Sequence, residues 1–593
     1  MRLLTVLMTT MRVIAPLVTL VVPISSQVNW DAPESLATSG KTVSTASGQA
    51  VVVTANPLAS DAALRTLEKG GTAMDAVITA QTVLAVVEPQ SSGLGGGSFL
   101  LYWDNKEKLL YALDGRETAS AQATEITWLD LDGKPVSWLT ASQSLSSIGV
   151  PGTTALLWEG HQRFGRLPWK TDLSASIRLA YEGFLPSPRF LRSISLAKRI
   201  GIKHAENFQS LYFPDGSPPS ATSLFRNKNL GLTLNQLAAG GLDEFYRGGI
   251  AKRLIADLDK YQNRDKPLQT ITARDLENYR VYERKPLCRL YRSWKICTIP
   301  PPSGGGIAVL QALGIYESLT EPNGLDGPAS YWHFLAESLR FADADRSHWI
   351  GDPIDWPVPL EGLLEDNYLQ KRANKIKLNK ATAFPLPGRP KGGELLDLAS
   401  QPRTAGGGTT HLVVVDRDGN VASYTASVET VFGSRHISGG MVLNNQLTDF
   451  SFLSNVSGKP IANRIGPNKR PMSSMSPMIV FQNNRPVMAL GSPGGWLIPH
   501  YVTHALIRSL DFALSPKDVV RSRHLSVKPN QTLLERNSES STPDSMAAHV
   551  LKSFGHQIKY SRFSSGLALI HWKEGTWYGA ADPRREGKAV SLP

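Results

Sequence analysis

The hydrophobic pattern of this chain changes repeatedly between helix-like and strand-like stretches. Residues 73–87 are mostly apolar and long enough to predict a buried helix. Residues 50–55, 98–103 and 478–481 are shorter apolar runs, and their length predicts strands. Because such strands alternate with helices along the chain, the pattern favours stacked layers of α and β structure.

Further elements follow from the same pattern, with glycines marking some of their ends. Residues 60–69 predict an amphipathic helix that Gly70 and Gly71 close. Other predicted helices cover residues 307–319 and 331–345, a helical region runs from about 153 toward 234, and other predicted strands cover 108–113 and 488–490.

The middle of the chain holds three glycines at 406–408, followed by Thr409 and an apolar strand that a tight turn sends back as a second strand. An N-terminal-nucleophile hydrolase is assembled in this way. Thr409 Oγ would attack the carbonyl carbon of Gly408, and hydrolysis of the resulting ester would make Thr409 a new N-terminus. The glycines would permit a contorted backbone path. The freed α-amino group, with a pKa of about 7.7–8.0, would act as the base toward its own hydroxyl.

Taken alone, the same stretch favours an ordinary β-hairpin with a glycine-rich approach. The rest of the chain reverses that preference, beginning with the segment just upstream. Residues 378–404 are rich in lysine, proline and glycine and show little periodicity, which predicts an exposed, mobile linker. A segment that is to become a free C-terminus would have this composition.

Overall composition indicates a globular protein, with 41% hydrophobic and 19% charged residues among 593. The net charge of +12 fits a solvated surface, and the alternatives are affinity for nucleic acid, for an anionic membrane surface or for acidic substrates. No dense basic run interleaved with aromatic residues accompanies that charge, so a nucleic-acid binder is the lowest-ranked class. Cys288 and Cys297 are the only cysteines, which excludes a disulfide scaffold and a cysteine zinc site. They flank a predicted hairpin and fit either a disulfide or two reduced thiols.

The N-terminus predicts a secretory signal. Arg2 and Arg12 precede an apolar run, Ser25 and Ser26 supply small residues, and the run is too short to span a bilayer comfortably. We therefore expect a signal peptide at residues 1–26 and export to the periplasm or the extracellular space. Met11 is an alternative start.

Several short motifs together resemble the γ-glutamyltranspeptidase family. Each is weak alone, but they occur in order from about residue 50 to the C-terminus. They are Asn56-Pro57-Leu58-Ala59-Ser60, residues 91–97, Asp114-Gly115-Arg116-Glu117, Gly149-Val150-Pro151-Gly152, residues 301–306, Thr409-Thr410-His411, residues 443–446, 471–477 and 491–495, and Asp582-Pro583-Arg584-Arg585.

The resemblance implies a four-layer αββα sandwich of the Ntn-hydrolase type. It implies self-cleavage into a large chain of residues 27–408 and a small chain of 409–593, which together form one interlocked domain. The family transfers a γ-glutamyl group from glutathione or related amides to water or an acceptor amine, through an ester on the nucleophile. The resemblance implies neither a metal nor an organic cofactor.

The resemblance also implies a role for individual residues, which fall into three groups. Thr409 corresponds to the nucleophile and Ser427 to the hydroxyl that orients it, while Gly494 and Gly495 correspond to the oxyanion hole. The α-carboxylate of the substrate would be bound by Arg116, Ser473 and Ser474. The α-ammonium would be bound by Glu429, Gln446 and Asp449. Opposite charges at the two ends of the pocket would then select a zwitterionic head group. Without the resemblance, Ser473 and Ser474 would be turn residues and Asp449 a helix cap.

Two features depart from the family pattern. Glu429 occupies a position where some members carry asparagine, and a carboxylate there still suits an ammonium group. Residues 452–465 form a shorter segment than the lid-bearing loop of some members, which predicts a more open cleft. Two other functions remain open: an acylase for glutaryl or cephalosporin-type amides on the same fold, and an envelope binding protein that has lost catalysis.

Overall fold

The computed structural model describes residues 42–202, 205–262, 270–320, 327–402, 406–536 and 545–593. The predicted signal peptide lies outside these residues. The helices are α1 Pro57–Glu68, α2 Ala73–Val87, α3 Trp138–Ser142, α4 Thr153–Phe164, α5 Trp169–Glu182, α6 Pro188–Ile200, α7 Glu206–Tyr212, α8 Lys228–Tyr246, α9 Gly249–Gln262, α10 Ala273–Asn278, α11 Gly304–Glu317, α12 Gly327–Trp349, α13 Leu360–Leu364, α14 Asp366–Ala373, α15 Ile498–Leu510, α16 Pro516–Arg521 and α17 Ser545–Ser553.

The strands are mostly short and spread along the chain. They are β1 Ser44–Gly48, β2 Ala50–Thr54, β3 Gly97–Asp104, β4 Leu109–Gly115, β5 Tyr282–Arg284, β6 Leu287–Tyr291, β7 Trp294–Thr298, β8 Gly408–Val415, β9 Val421–Glu429, β10 Ile437–Ser438, β11 Met441–Val442, β12 Asn455–Val456, β13 Lys459–Pro460, β14 Met478–Gln482, β15 Arg485–Gly491, β16 Leu525–Lys528, β17 Gln531–Glu535, β18 Ile558–Ser561, β19 Ala568–Lys573, β20 Thr576–Ala581 and β21 Lys588–Leu592.

Two seven-stranded antiparallel sheets form the centre of the molecule. Sheet I has the order β21-β2-β8-β9-β3-β4-β5, and sheet II has the order β1-β20-β19-β15-β14-β7-β6. Strands from before and after Thr409 are neighbours in both sheets, so the regions that the sequence assigns to a large and a small chain are interleaved.

The side chains of β8 show how sheet I separates two cores. Leu412 and Val414 pack with α1, α2 and α4 on one face, whereas Val413 and Val415 pack toward sheet II on the other. Successive strand residues point to opposite faces, so a continuous apolar run serves both cores. Sheet II is covered on its far side by α11, α12 and α15. The layer order is therefore helix, sheet, sheet, helix, as the resemblance implies.

Three predicted helix starts were late: two by three residues, and that of the helix predicted over 331–345 by four, because α12 begins at Gly327. The helix predicted from residue 60 begins at Pro57, because the Asn56 side chain accepts the Leu58 N–H at 3.0 Å and proline suits the first helical position. The helix predicted from residue 307 begins at Gly304, because Ser303 Oγ caps the Gly306 N–H at 3.2 Å. The prediction for α2 is confirmed at both ends.

Other expectations about local structure can be compared with the chain directly. Cys288 and Cys297 lie opposite each other on β6 and β7 and form a disulfide. Residues 378–402 contain no helix or strand, as expected of a linker, yet Gly388 and Gln401 are hydrogen-bonded to the body of the protein. Among the residues that the structure describes, no helix combines the length and the apolarity that crossing a bilayer requires.

Candidate active site

One edge of sheet I gathers residues that are far apart in the sequence. Thr409 at the start of β8 pairs with Ser427 near the end of β9, and Ser427 pairs on its other side with Gly97 at the start of β3. Ser98 in turn pairs with Gly115, the last residue of β4. In antiparallel strands, the start of one lies beside the end of the next. The topology therefore places Thr409, Ser427 and the loop after Gly115 at the same edge.

The hydroxyl of Ser427 is the direct partner of Thr409. Ser427 Oγ donates to the carbonyl oxygen of Gly408 at 2.7 Å and accepts the Glu429 N–H at 2.9 Å. Its distance from Thr409 Oγ1 is 3.2 Å. A serine hydroxyl has one proton, and Gly408 receives it, so Thr409 must be the donor in the remaining bond. This geometry matches the role that the resemblance implies, in which Ser427 would orient Thr409 and polarise the Gly408 carbonyl.

A β-bulge marks the bond that self-cleavage would break. The register between β8 and β9 shifts between Gly408 and Thr409, and bulges are frequent beside active sites. The sequence predicts a contorted backbone path for the glycine run. At Gly408 this prediction is wrong, because Gly408 is the first residue of β8. A Cβ at Gly408 would lie 2.2 Å from the carbonyl oxygen of Thr430, so glycine is required there by close packing.

Arg585 holds the other side of the nucleophile and was not assigned a role from the sequence. Its Nη1 donates to the carbonyl oxygen of Thr409 at 2.9 Å, and its Nε and Nη2 donate to the Ser564 carbonyl. The side chain is buried. Arg585 therefore fixes the backbone of Thr409 from the C-terminal end of the chain.

The two glycines assigned to the oxyanion hole lie in a turn between sheet II and α15. Gly494 has φ 138° and Gly495 has φ 58°, values that favour glycine. Gly495 begins a short 3₁₀ turn that leads into α15, and a Cβ on it would lie 2.3 Å from the Gly406 carbonyl oxygen. Backbone N–H groups at such a helix start are unpaired within the helix and suit a developing anion.

Arg116 is buried at the base of the cleft. Its Nη2 donates to Asp449 Oδ2 at 2.6 Å and to the Met472 carbonyl at 3.1 Å, and its Nε donates to the Pro471 carbonyl at 3.1 Å. Glu117 Oε2 lies 3.4 Å from Nη1. Burial raises the pKa of Glu117 to about 7, although the charge of Arg116 opposes that rise. Arg116 is thus held by partners that lie both before and after Thr409 in the sequence.

Acceptor groups cluster next to this guanidinium. Gln446 Nε2 donates to Asp449 Oδ2 at 2.7 Å, and Asn445 Nδ2 donates to Glu429 Oε2 at 2.7 Å. Glu429 Oε1 and Gln446 Oε1 are buried, and neither has a hydrogen-bond partner in the described parts of the chain. Burial, followed by the charge of Asp449, raises the pKa of Glu429 well above its usual range.

The direct Arg116–Asp449 contact corrects one expectation. The sequence predicts opposite charges at two ends of the pocket, but these two groups form an ion pair. Adjacent charges fit an α-amino acid better, because one carbon atom bears both its ammonium and its carboxylate.

The serines assigned to the carboxylate site directly follow Pro471 and Met472, whose carbonyl groups accept hydrogen bonds from Arg116. Ser473 Oγ accepts the Met475 N–H at 3.1 Å, and Ser474 Oγ accepts a hydrogen bond from Arg346 Nη2. Both serine hydroxyl protons can therefore be donated to a carboxylate. Arg346 also lies over the ring of Trp496, with its Cζ 3.9 Å from the ring centroid. Neither Arg346 nor Trp496 was singled out from the sequence.

Nearly all of the predicted site residues line one cleft. Gly408 and Gly494 are the exceptions, and each is adjacent in sequence to a lining residue. The lining residues are Arg116, Gly406, Gly407, Thr409, Ser427, Glu429, Gln446, Asp449, Ser473, Ser474, Met475, Gly495, Trp496 and Ile498.

The αββα layers, with a threonine at the start of a central strand, define the class as an Ntn hydrolase. A family model described as γ-glutamyltranspeptidase matches residues 59–592. The glutathione hydrolase proenzyme of Bacillus subtilis strain 168 is 33% identical over 554 residues, which cover 91% of each chain. That of Escherichia coli K12 is 32% identical over 546 residues, 90% of each chain. The present chain belongs to the γ-glutamyltranspeptidase family.

A solved structure extends the comparison to another activity on the same fold. The cephalosporin acylase from Bacillus halodurans superimposes with a TM-score of 0.80 at 25% identity, covering 93% of this chain and 97% of that one. The fold is therefore shared by relatives whose names refer to different amide substrates.

Proposed function

We propose that this chain hydrolyses glutathione and other γ-glutamyl amides through a γ-glutamyl ester on Thr409. Water or an acceptor amine takes the acyl group. Membership of the γ-glutamyltranspeptidase family and the names of the Bacillus and Escherichia relatives support this function.

Maturation comes first in this proposal. Removal of residues 1–26 accompanies export to the periplasm or beyond. Thr409 Oγ then attacks the Gly408 carbonyl carbon and forms an ester. The C–N bond between the two residues breaks, and the Thr409 nitrogen takes up the hydroxyl proton to become a free amine. Water hydrolyses the Gly408–Thr409 ester. The products are chains 27–408 and 409–593, which remain interleaved in both sheets.

Catalysis repeats the same attack on an external amide. The Thr409 amine removes the proton from its own hydroxyl as Oγ attacks the γ-carbonyl carbon of the donor. The N–H groups of Gly494 and Gly495 stabilise the oxyanion. The amine half of the donor then leaves, and it takes the proton that the Thr409 amine had removed. Water or a second amine then cleaves the ester and restores the hydroxyl. These steps need no cofactor.

The observation that supports a γ-glutamyl head most strongly is the set of acceptors beside Arg116. Asp449, Glu429 Oε1 and Gln446 Oε1 offer oxygen atoms to an ammonium group, and two of these oxygens are buried without a partner among the described residues. A buried acceptor left unpaired costs about 1–3 kcal/mol. An α-ammonium would remove that cost, whereas a glutaryl group has no donor to offer.

The likeness to a cephalosporin acylase favours a second candidate, a glutaryl-type amide acylase. The two candidates can be separated with γ-glutamyl 4-nitroanilide and glutaryl 4-nitroanilide, which differ only in the ammonium group. We expect the first to be the better substrate by a factor of 10² or more in kcat/KM. A preference for the glutaryl compound would contradict the γ-glutamyl assignment.

Mass spectrometry and N-terminal sequencing of the purified protein provide the test of maturation. We expect two chains, one beginning at Thr409, and a single uncut chain from Thr409→Ala. A wild-type chain that stays uncut and hydrolyses neither anilide would instead indicate a binding protein without catalysis. Cleavage of Thr409→Ala at the normal rate would place the nucleophile elsewhere.

A further inference from the structure

A second cavity adjoins the active-site cleft. This side groove has a floor formed by α12, through Arg340, Asp343, Ala344 and Ser347, and walls formed by residues 384–387, 400–402 and 527–529. The four floor residues follow the i, i+3, i+4, i+7 spacing of one helix face. The cavity volume is about 350 Å³, and the groove opens to solvent. A groove of this size holds an amino-acid side chain with room to spare.

The walls of the side groove are unusually apolar for a surface. Phe384 is 62% exposed and Leu386 is 78% exposed, and prolines flank or face them. Large apolar side chains that are exposed together mark a binding surface more often than single ones do. The chemistry of the walls therefore suits an apolar or aromatic group.

Trp496 connects the side groove to the active-site cleft, because its side chain lines both. It directly follows Gly495, whose N–H is assigned to the oxyanion. The acyl carbon of a bound donor bears the oxyanion and the leaving amine on adjacent bonds. With the glutamyl head held near Arg116, an amine leaving beside the oxyanion site has Trp496 as its neighbour.

We propose that the side groove binds the amine half of the substrate and makes the enzyme prefer amines with aromatic or bulky apolar side chains. The proposal rests on the γ-glutamyl function, since it concerns the other half of the same amide.

The groove does not depend on the bond that maturation breaks. Gln401 donates from its N–H to the Ser347 carbonyl at 2.8 Å and from Nε2 to the Asp449 carbonyl at 3.1 Å. Its Oε1 accepts from Asn463 Nδ2 at 2.8 Å. These three bonds anchor the wall upstream of Gly408, so the mature enzyme keeps the groove.

The test compares the hydrolysis of γ-glutamyl-phenylalanine and γ-glutamyl-glycine by the mature protein, measured as released glutamate. We expect kcat/KM to be roughly tenfold higher for the phenylalanine compound, since one well-placed apolar group in a pocket is worth about 10–200-fold. Two variants probe the groove. Leu386→Ser removes an exposed wall residue, and Ala344→Phe fills the floor.

Both variants should reduce the phenylalanine-to-glycine ratio to about one without changing self-cleavage or the hydrolysis of γ-glutamyl-glycine. The matched control is Leu395→Ser, because Leu395 is 98% exposed in the same upstream segment and lies outside the groove. An unchanged ratio in Leu386→Ser and in correctly matured Ala344→Phe would overturn the groove assignment alone. A wild-type protein that releases glutamate from no γ-glutamyl amide would overturn the proposed function itself.

Discussion

Removing one hydroxyl from Ser427 should nearly stop self-cleavage. In the uncut chain this hydroxyl donates to the Gly408 carbonyl oxygen at 2.7 Å and is 3.2 Å from Thr409 Oγ1. The Gly408 oxygen becomes the oxyanion when Thr409 attacks. Ser427→Ala therefore removes an oxyanion donor and the acceptor that aims the nucleophile.

The expected magnitude follows from these two losses. One oxyanion donor is worth about 10²–10³ in rate, or roughly 3–4 kcal/mol. Losing the acceptor for the Thr409 hydroxyl adds about 0.5–1.5 kcal/mol if the attack needs that rotamer. We expect Ser427→Ala to mature at least 100-fold more slowly than wild type. Ser427→Thr should mature at a rate close to wild type, because it retains the hydroxyl.

The assay follows purified precursor by gel and intact mass at neutral pH over hours to days. Ser423→Ala is the matched control, because Ser423 lies on the same face of β9 and its buried hydroxyl bonds only to the Leu490 carbonyl, at 3.2 Å, in the described structure. Maturation of Ser427→Ala at the wild-type rate would refute the assignment of the hydroxyl. Equal slowing in the control would show a general loss of packing.

Three further expectations concern other parts of the fold. Gly495→Ala should mature slowly, because its Cβ would lie 2.3 Å from the Gly406 carbonyl oxygen and its φ is 58°. The same gel assay measures the rate of maturation, and a wild-type rate would contradict this expectation. Arg585→Met should mature about 10–100-fold more slowly, since a charged donor to Thr409 is worth roughly 1.5–3 kcal/mol; a normal rate at an unchanged melting temperature would contradict the positioning role. Burial, with the charges of nearby cations, lowers the pKa of His556 from 6.5 to about 3. The unfolded chain therefore binds a proton at this histidine at higher pH than the folded chain does. The contribution of His556 to stability is complete above pH 6.5 and is lost as the pH falls toward 3. In urea unfolding, the free energy of unfolding of wild type should therefore fall by up to about 1.4 kcal/mol per pH unit more than that of His556→Gln between pH 6.5 and 3. Equal pH dependence of the two unfolding free energies would contradict the pKa shift.

Elements with a strong hydrophobic pattern were predictable from the sequence, and their ends were less so. The apolar run of α2 gave both of its ends, because the run and the helix coincide. The starts of α1 and α11 depend instead on single capping side chains, Asn56 and Ser303, whose signal is one residue long. Hydrophobic periodicity does not report such hydrogen bonds.

The site was predictable only where a short motif carries it. Thr409 and its glycines are contiguous, but Arg585 reaches Thr409 across 176 residues and Arg346 reaches Ser474 across 128. Local sequence does not indicate which of many arginines makes a long-range contact. The fold supplies that information through the order of the strands and the packing of α12 against the cleft.

Before cleavage, Gly406 and Gly407 lie in the cleft where a substrate head group would bind, which gives these glycines a second role. Gly406 and Gly407 line the cleft, and a Cβ on Gly406 would lie 2.1 Å from Glu429 Oε1, one of the acceptors assigned to the ammonium group. Gly407 also donates its N–H to the Glu429 carbonyl at 2.9 Å. While Gly408 remains bonded to Thr409, these contacts keep a substrate head group out. We therefore expect the bond between Gly408 and Thr409 to be broken before a substrate head group can bind, because Gly406 and Gly407 lie in the same cleft.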